Sequence, residues 1–312
     1  MSLAEELGFD FKSEPCERFS DSGYRYPCRK CIPCLIRRQR AWVSRLTEEL
    51  REHPYNYFIT LTYAPEHLPS TEDGVVSVFK PHLIKLNRDL RKRFQQGKFT
   101  FHYETREGLP MEESFDLPDI HYKYYLTSEY GPAGHLPHYH GVFYNMPEDR
   151  YLVECLFKEC WPYGFVSVFP AMEGAAGYVS KYLVTDGVGK ESYTDPYSVS
   201  PFALMSKGIG LSYVRRMLDY HQADWQNRCF TQYRGVKGSM DRYLKHKVFT
   251  EDQLQYFAEQ FYDNMHVMSN RYYLLKLREP LKYEQIMKDR TKYFEDLRYS
   301  IEQKVLKKHS LK

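Results

Sequence analysis

The stretch from Tyr124 to Tyr144 constrains this chain more than any other. Tyr124-Tyr-Leu-Thr-Ser-Glu129-Tyr130 alternates aromatic and polar residues, Gly131-Pro-Ala-Gly134 interrupts it, and His138-Tyr-His140-Gly-Val-Phe-Tyr144 resumes an apolar strand. A connection this short permits only an antiparallel pair. Side chains two apart in a strand share a face, so His138 and His140 point together while Tyr139 points away. Pairing across the hairpin brings Glu129 alongside. Two imidazoles and one carboxylate on one face make a divalent-metal site with positions left open for a substrate. With twelve His in 312 residues, a His-x-His pair arises by chance in roughly every second such chain. The apolar residue between them, the apolar strand that follows and the acid one strand earlier distinguish this pair from surface histidines.

Strands are expected near 57–63, 122–130, 138–144 and 164–169, and helices over 36–50, from Pro81, over 147–161 and over 174–183. The acidic, Gly/Pro-containing stretch 97–119 reads as an inserted loop or small hairpin, and 186–210 as loop. Beyond Leu211 helical patterns dominate, notably Glu251–Met265 and Lys282–Leu306. The fold class is α+β, a central antiparallel sheet with packed helices. The chain divides into a Cys-rich segment and basic helix (1–54), a core (55–190) and a mainly helical C-terminal region (191–312).

Net charge is only +3, but Arg25–Arg51 carries eight Lys/Arg and Lys80–Lys98 seven. Local basic faces of this kind suit a polyanion. Arg37, Arg38, Arg40 and Arg45 flank the apolar stripe Trp42, Val43, Leu46 and Leu50 and are the candidate DNA contacts on the first helix. Twenty-nine Tyr and nineteen Phe supply core, or platforms for unpaired bases. No apolar run reaches membrane-spanning length, and the first residues lack the apolar core of a signal peptide. A reducing, cytoplasmic setting is therefore expected, where cysteines serve as ligands or free thiols. Cys28, Cys31 and Cys34, with Cys16 upstream, can give four thiolates to a structural Zn²⁺. An iron–sulfur cluster lacks the usual fourth Cys three residues on. Gly187-Val-Gly-Lys190-Glu-Ser192 is not a phosphate loop, because its first glycine is missing and Glu191 separates Lys190 from Ser192.

A second constellation follows the hairpin. In a helix Tyr178, Lys181 and Tyr182 stand at i, i+3 and i+4, on one face. Two phenols and an ammonium near a metal are the parts of a phosphoryl-transfer centre with a tyrosine nucleophile. Tyr273…Lys276 repeats the spacing but has no strand-borne His pair just before it.

Thr60-Leu-Thr62, His138-Tyr-His140 and Tyr178-Val-Ser-Lys181 stand in the order of the three motifs of rolling-circle replication initiators, the HUH endonucleases. With Pro27-Cys-x-Lys-Cys31, Ser128-Glu-Tyr-Gly131 and Trp161-Pro-Tyr-Gly-Phe165, the chain resembles initiators of small single-stranded DNA phages, of microvirus and particularly gokushovirus type, over roughly 25–220. The resemblance implies the HUH fold, with helices on one face of the sheet, and Mg²⁺ or Mn²⁺ held by Glu129, His138 and His140. It further implies Tyr178 as nucleophile with Lys181 beside it, and Thr60 and Thr62 among the DNA-contacting residues. The implied function is site-specific nicking and joining of single-stranded DNA at a replication origin, with host helicase and polymerase as partners in the cytoplasm of a bacterial host. Thr185 departs from the family pattern, which often repeats the lysine after the second tyrosine. The acidic stretch 104–119 is an insertion. Two other readings stay open: a single-strand transposase of the same class, and a non-catalytic, zinc-stabilised nucleic-acid-binding protein. A histidine-triad hydrolase is disfavoured because Val142 stands where its third alternating His belongs.

Overall fold

The computed structural model describes residues 3–12, 14, 16, 27–131, 136–185, 199–233 and 235–309. They fall into two compact units, one drawn from 1–44, 183–190 and 213–312 and the other from 45–182 and 191–212.

The second unit is built on a five-stranded sheet in the order β6-β1-β5-β4-β7, with every pair antiparallel. Its strands are β1 (Asn56–Thr62), β4 (Lys123–Tyr130), β5 (Pro137–Tyr144), β6 (Val166–Pro170) and β7 (Ala203–Met205). The expected strands are all present. β7 is additional, and it lies in the stretch read as loop: three half-buried residues are too short a run to show an alternating pattern. The acidic stretch is the separate hairpin of β2 (Lys98–Glu104) and β3 (Pro110–Asp116).

One face of the sheet is hydrophobic core. Tyr57, Ile59 and Leu61 of β1, Tyr139 and Phe143 of β5, Leu126 of β4 and Val168 of β6 point into it. Helices α3 (Lys80–Gln96) and α4 (Arg150–Cys160) cover them with Leu83, Leu86, Leu90 and Phe94, and with Leu152, Val153, Leu156 and Phe157. Each such side chain contributes about 1.5–3 kcal/mol on burial. Pro81 opens α3, Gly97 in the left-handed conformation closes it, and Asp149 caps α4 by accepting the Tyr151 N–H. Cys155 and Cys160 are part of this core.

The opposite face carries helix as well, so the sheet is not covered on one side only. The end of α2 (Ile32–Glu52) ties down there: fully buried Glu49 accepts from Lys123 Nζ at 2.6 Å and from the Gly210 N–H at 2.8 Å. Helix α5 (Glu173–Thr185) places Tyr178 against Phe58 of β1.

The first unit holds α1 (Leu3–Glu6), the start of α2, α6 (Leu211–Ala223) from Tyr213 on, the hairpin β8 (Phe230–Tyr233) and β9 (Val236–Ser239), α7 (Arg242–Val248), α8 (Glu251–Arg278) and α9 (Pro280–His309). Thr250 and Gln253 cap α8 reciprocally. Buried Glu14 accepts from Tyr272 Oη at 2.6 Å and from Arg290 Nε at 2.8 Å, fastening the N-terminal segment to α8 and α9. Burial pushes the Glu14 carboxyl up to about 7 against the pull of Arg290. Among the described residues no helix is long and apolar enough to cross a membrane.

Glu49→Ala leaves the Gly210 N–H and the Lys123 ammonium without their buried acceptor. The expected loss is about 2–4 kcal/mol of unfolding free energy in urea. An unchanged denaturation midpoint would show that this anchor is not needed.

Candidate metal centres

The strand register builds the first site in rows. Glu129 pairs with His138 across β4–β5, and His138 pairs with Thr62 across β5–β1. Phe165 continues the row, exchanging both backbone hydrogen bonds with Thr62. The next row on the same face is Thr127, His140, Thr60 and Ser167, and the third is Tyr125, Val142, Phe58 and Phe169. The sharing of one face by His138 and His140, with Tyr139 opposite, is thus the observed arrangement.

One ligand atom from each of Glu129, His138 and His140 lies within 4.8 Å of the others. Glu129 Oε2 and His140 Nε2 are 3.3 Å apart, and both side chains are buried. His140 is fixed on several sides. Its Nδ1 shares a hydrogen bond with Thr60 Oγ1 at 3.0 Å, its ring stacks on Phe58 at 5.7 Å, and Tyr178 meets it edge-on at 5.3 Å. The bond at Nδ1 leaves Nε2 facing Glu129, as a ligand held by an outer partner should be. His138 is half-buried and packs over Gly131, where a Cβ would stand 2.5 Å from His138 Cε1. Only glycine leaves room for the ring. Two imidazole nitrogens and a carboxylate with a half-open side fit a divalent ion that retains exchangeable positions.

The second cluster belongs to the other unit. Cys16, Cys28, Cys31 and Cys34 have their sulfurs mutually within 4.8 Å, and Cys16 and Cys34 are buried. Cys31 Sγ and Cys16 Sγ are 3.7 Å apart, too far for a disulfide. This is close to the edge of about 3.8 Å for a tetrahedron with metal–sulfur bonds of about 2.3 Å. Backbone N–H groups of Lys30 and Cys31 point at Cys28 Sγ, and that of Cys28 at Cys16 Sγ, as donors to thiolates do. Arg29, at φ 63, makes the tight turn that aims them.

The arginines diverge. Arg38 and Arg40 are exposed and Arg37 half-buried, whereas Arg45 is buried with its Nε donating to the Ile209 carbonyl. Arg45 is therefore a packing residue rather than a surface cation, because its helix position turns it inward. Several cations of the second basic stretch are paired: Lys85 and Arg88 with Asp89, Arg93 with Glu159. They also sit on α3, across the sheet from the histidines. Thr62 lies in the His138 row, while Thr60 has a role the sequence did not suggest, that of holding His140. Phe58 and Gly131 were missed as site residues. Two-residue alternation from Thr60 reaches Phe58, but nothing in a single sequence reveals the space Gly131 must leave. Lys181 and Tyr182 lie on α5, one turn after Tyr178, and their side chains lie outside the described residues.

A family model for the replication-associated protein ORF2 family matches residues 56–187, the stretch that contains both histidines, Glu129 and Tyr178. This part of the chain belongs to that family. The chain is 30% identical over 200 residues to replication-associated protein ORF2 of Spiroplasma virus 4, covering 60% of this chain and 56% of that protein. It is 25% identical over 236 residues to replication-associated protein VP4 of Bdellovibrio phage phiMH2K, covering 72% and 67%. A third relative is replication-associated protein ORF4 of Chlamydia phage 1, 25% identical over 173 residues, covering 50% and 37%. The chain thus spans little more than half the length of the first of these. The resemblance to small-phage replication initiators drawn from the motifs agrees with these relatives. No solved structure matches.

Thr60→Val keeps the side-chain shape and removes the hydroxyl on His140, and Gly131→Ala drives a methyl into His138. Each should weaken divalent-ion binding about 10- to 100-fold, read by Mn²⁺ titration with electron paramagnetic resonance. Undiminished affinity in Thr60→Val would show that the hydroxyl does not orient the ring.

Proposed function

We propose that this protein is a site-specific single-strand DNA endonuclease and strand transferase that initiates rolling-circle replication of a phage genome. The observation that carries this reading is the convergence of Glu129, His138 and His140 with Tyr178 in edge contact with His140. Names of the relatives support replication over transposition.

A Mg²⁺ or Mn²⁺ ion held by Glu129, His138 and His140 supplies Lewis-acid polarisation of the scissile phosphate. The Tyr178 phenol oxygen attacks phosphorus in line with the departing 3′ oxygen. The phosphorus–O3′ bond breaks, the phenol loses its proton and the 3′ oxygen gains one. A free 3′-OH and a 5′-phosphotyrosyl link result, and joining is the same step reversed. Phe58 and Thr60 hold His140 still, so little reorganisation accompanies the reaction. Lys181, one turn along α5, steadies the phosphate charge. Tyr182, at i+4, is a second nucleophile able to cut the regenerated origin while the first link persists. The 3′-OH primes a host polymerase behind a host helicase, in the cytoplasm of the bacterial host. Arg37, Arg38 and Arg40 contact the DNA backbone, and the four cysteines hold a structural Zn²⁺ next to them in sequence.

His140→Ala should lose nicking of a single-stranded oligonucleotide library while still binding it, and Tyr178→Phe should lose the covalent adduct. Mass spectrometry of the adduct peptide assigns the nucleophile. Persistent nicking by His140→Ala, or in excess chelator, would overturn the assignment, and a protein that binds but never nicks would favour the non-catalytic reading.

Protein purified without chelator should contain about one zinc per chain, bound by four thiols that resist alkylation until the metal is stripped. Four freely alkylated thiols in the folded, metal-free protein would argue against the zinc site.

A further inference from the structure

The edge strand beside the metal donors presents an aromatic surface that the chemistry above does not use. Phe165, Ser167 and Phe169 face the same side of the sheet as the histidines. Phe165 is 71% exposed and Phe169 53%. Phe165 stands in the row of Thr62, His138 and Glu129, two strands from His138, or about 10 Å. Phe169 stands in the row of Phe58, whose ring touches both His140 and Tyr178. Two exposed phenyl rings on one edge strand, separated by a small polar residue, bring no packing benefit. The Arg150 guanidinium lies 5.2 Å from the Phe169 ring centroid and adds a positive charge at that end. Rings, charge and direct continuity in register with the metal-donor row together match one kind of partner: a strand with exposed base faces and an anionic backbone.

We propose that Phe165 and Phe169 are base-stacking platforms that hold the unpaired DNA strand on the sheet as it runs to the Glu129–His138–His140 site. This rests on the reading of the protein as a single-strand nuclease and adds where the strand lies. Ser167 leaves a low step between the two rings, through which the backbone can pass toward Thr60 and Thr62. Stacking tolerates any base, so the platforms contribute affinity and positioning, while origin sequence is read elsewhere.

The test is fluorescence anisotropy with a labelled mixed-sequence single strand of about 30 nucleotides. The full chain carries Tyr178→Phe so that covalent capture does not distort the binding curve. Phe165→Ala and Phe169→Ala should each raise Kd about 5- to 100-fold. Phe165→Tyr should stay within about twofold of the parent, since a phenol ring stacks as well. On an abasic strand of the same length, where nothing can stack, the alanine variants should match the parent. Alanine variants that bind the mixed-sequence strand as tightly as a parent that does bind it would overturn the platforms and leave the patch to a protein partner. The nuclease reading would stand in that case. An unaltered chain that neither binds nor nicks single-stranded DNA would overturn both.

Discussion

The antiparallel register of β1, β5 and β4 is the constraint on which the rest depends. Because side chains repeat every second residue, a slip of one position in any of the three strands would turn its donors into the core. The slip is prevented from the opposite face. Tyr139, between the two histidines, is buried among Trp161 and Tyr63, its hydroxyl bonded to Tyr63 Oη at 3.1 Å and accepting the Phe79 N–H at 2.8 Å. Ile59 and Leu61 lock β1 in the same way. The hydrophobic core thus determines the geometry of the polar site from the far side of the sheet.

Much of this was legible in the sequence because the pattern was local. A tight turn between alternating strands admits one pairing, and that pairing aligns Glu129 with His138 and Thr60 with His140 once β1 joins. The four cysteines were legible because their spacing is short and their chemistry narrow. What escaped depends on distant segments. β7 is a strand because β4 offers it an edge, not because of its three residues. Arg45 looked like its exposed neighbours on α2, and its burial depends on Ile209, 164 residues away. Helix on the second face followed from Glu49, an acid that sequence reading assigns to solvent.

The two donor clusters illustrate how ligand chemistry separates structural from reactive metal sites. Four sulfurs enclose their ion completely, and the backbone N–H groups directed at them leave no position for a substrate. Two nitrogens and one carboxylate leave a coordination sphere incomplete, and here the incomplete side is next to a tyrosine ring. The first arrangement suits holding a short segment that lacks a core of its own. The second suits chemistry on a phosphate.

Within the second site the two imidazoles are not equivalent, and the difference gives the site a direction. His140 is buried, bonded at one nitrogen by Thr60 and enclosed by Phe58, Glu129 and Tyr178. His138 is half-buried, limited mainly by the bare backbone of Gly131, with exposed Phe165 further along its row. A rigid inner ligand holds the metal position against the helix that carries the nucleophile. An outer ligand with more freedom lets the coordination sphere adjust as a bulky anion enters. Substrate therefore approaches from the Phe165–Thr62 row and meets Tyr178 at the deeper end, an order imposed by the register of the sheet.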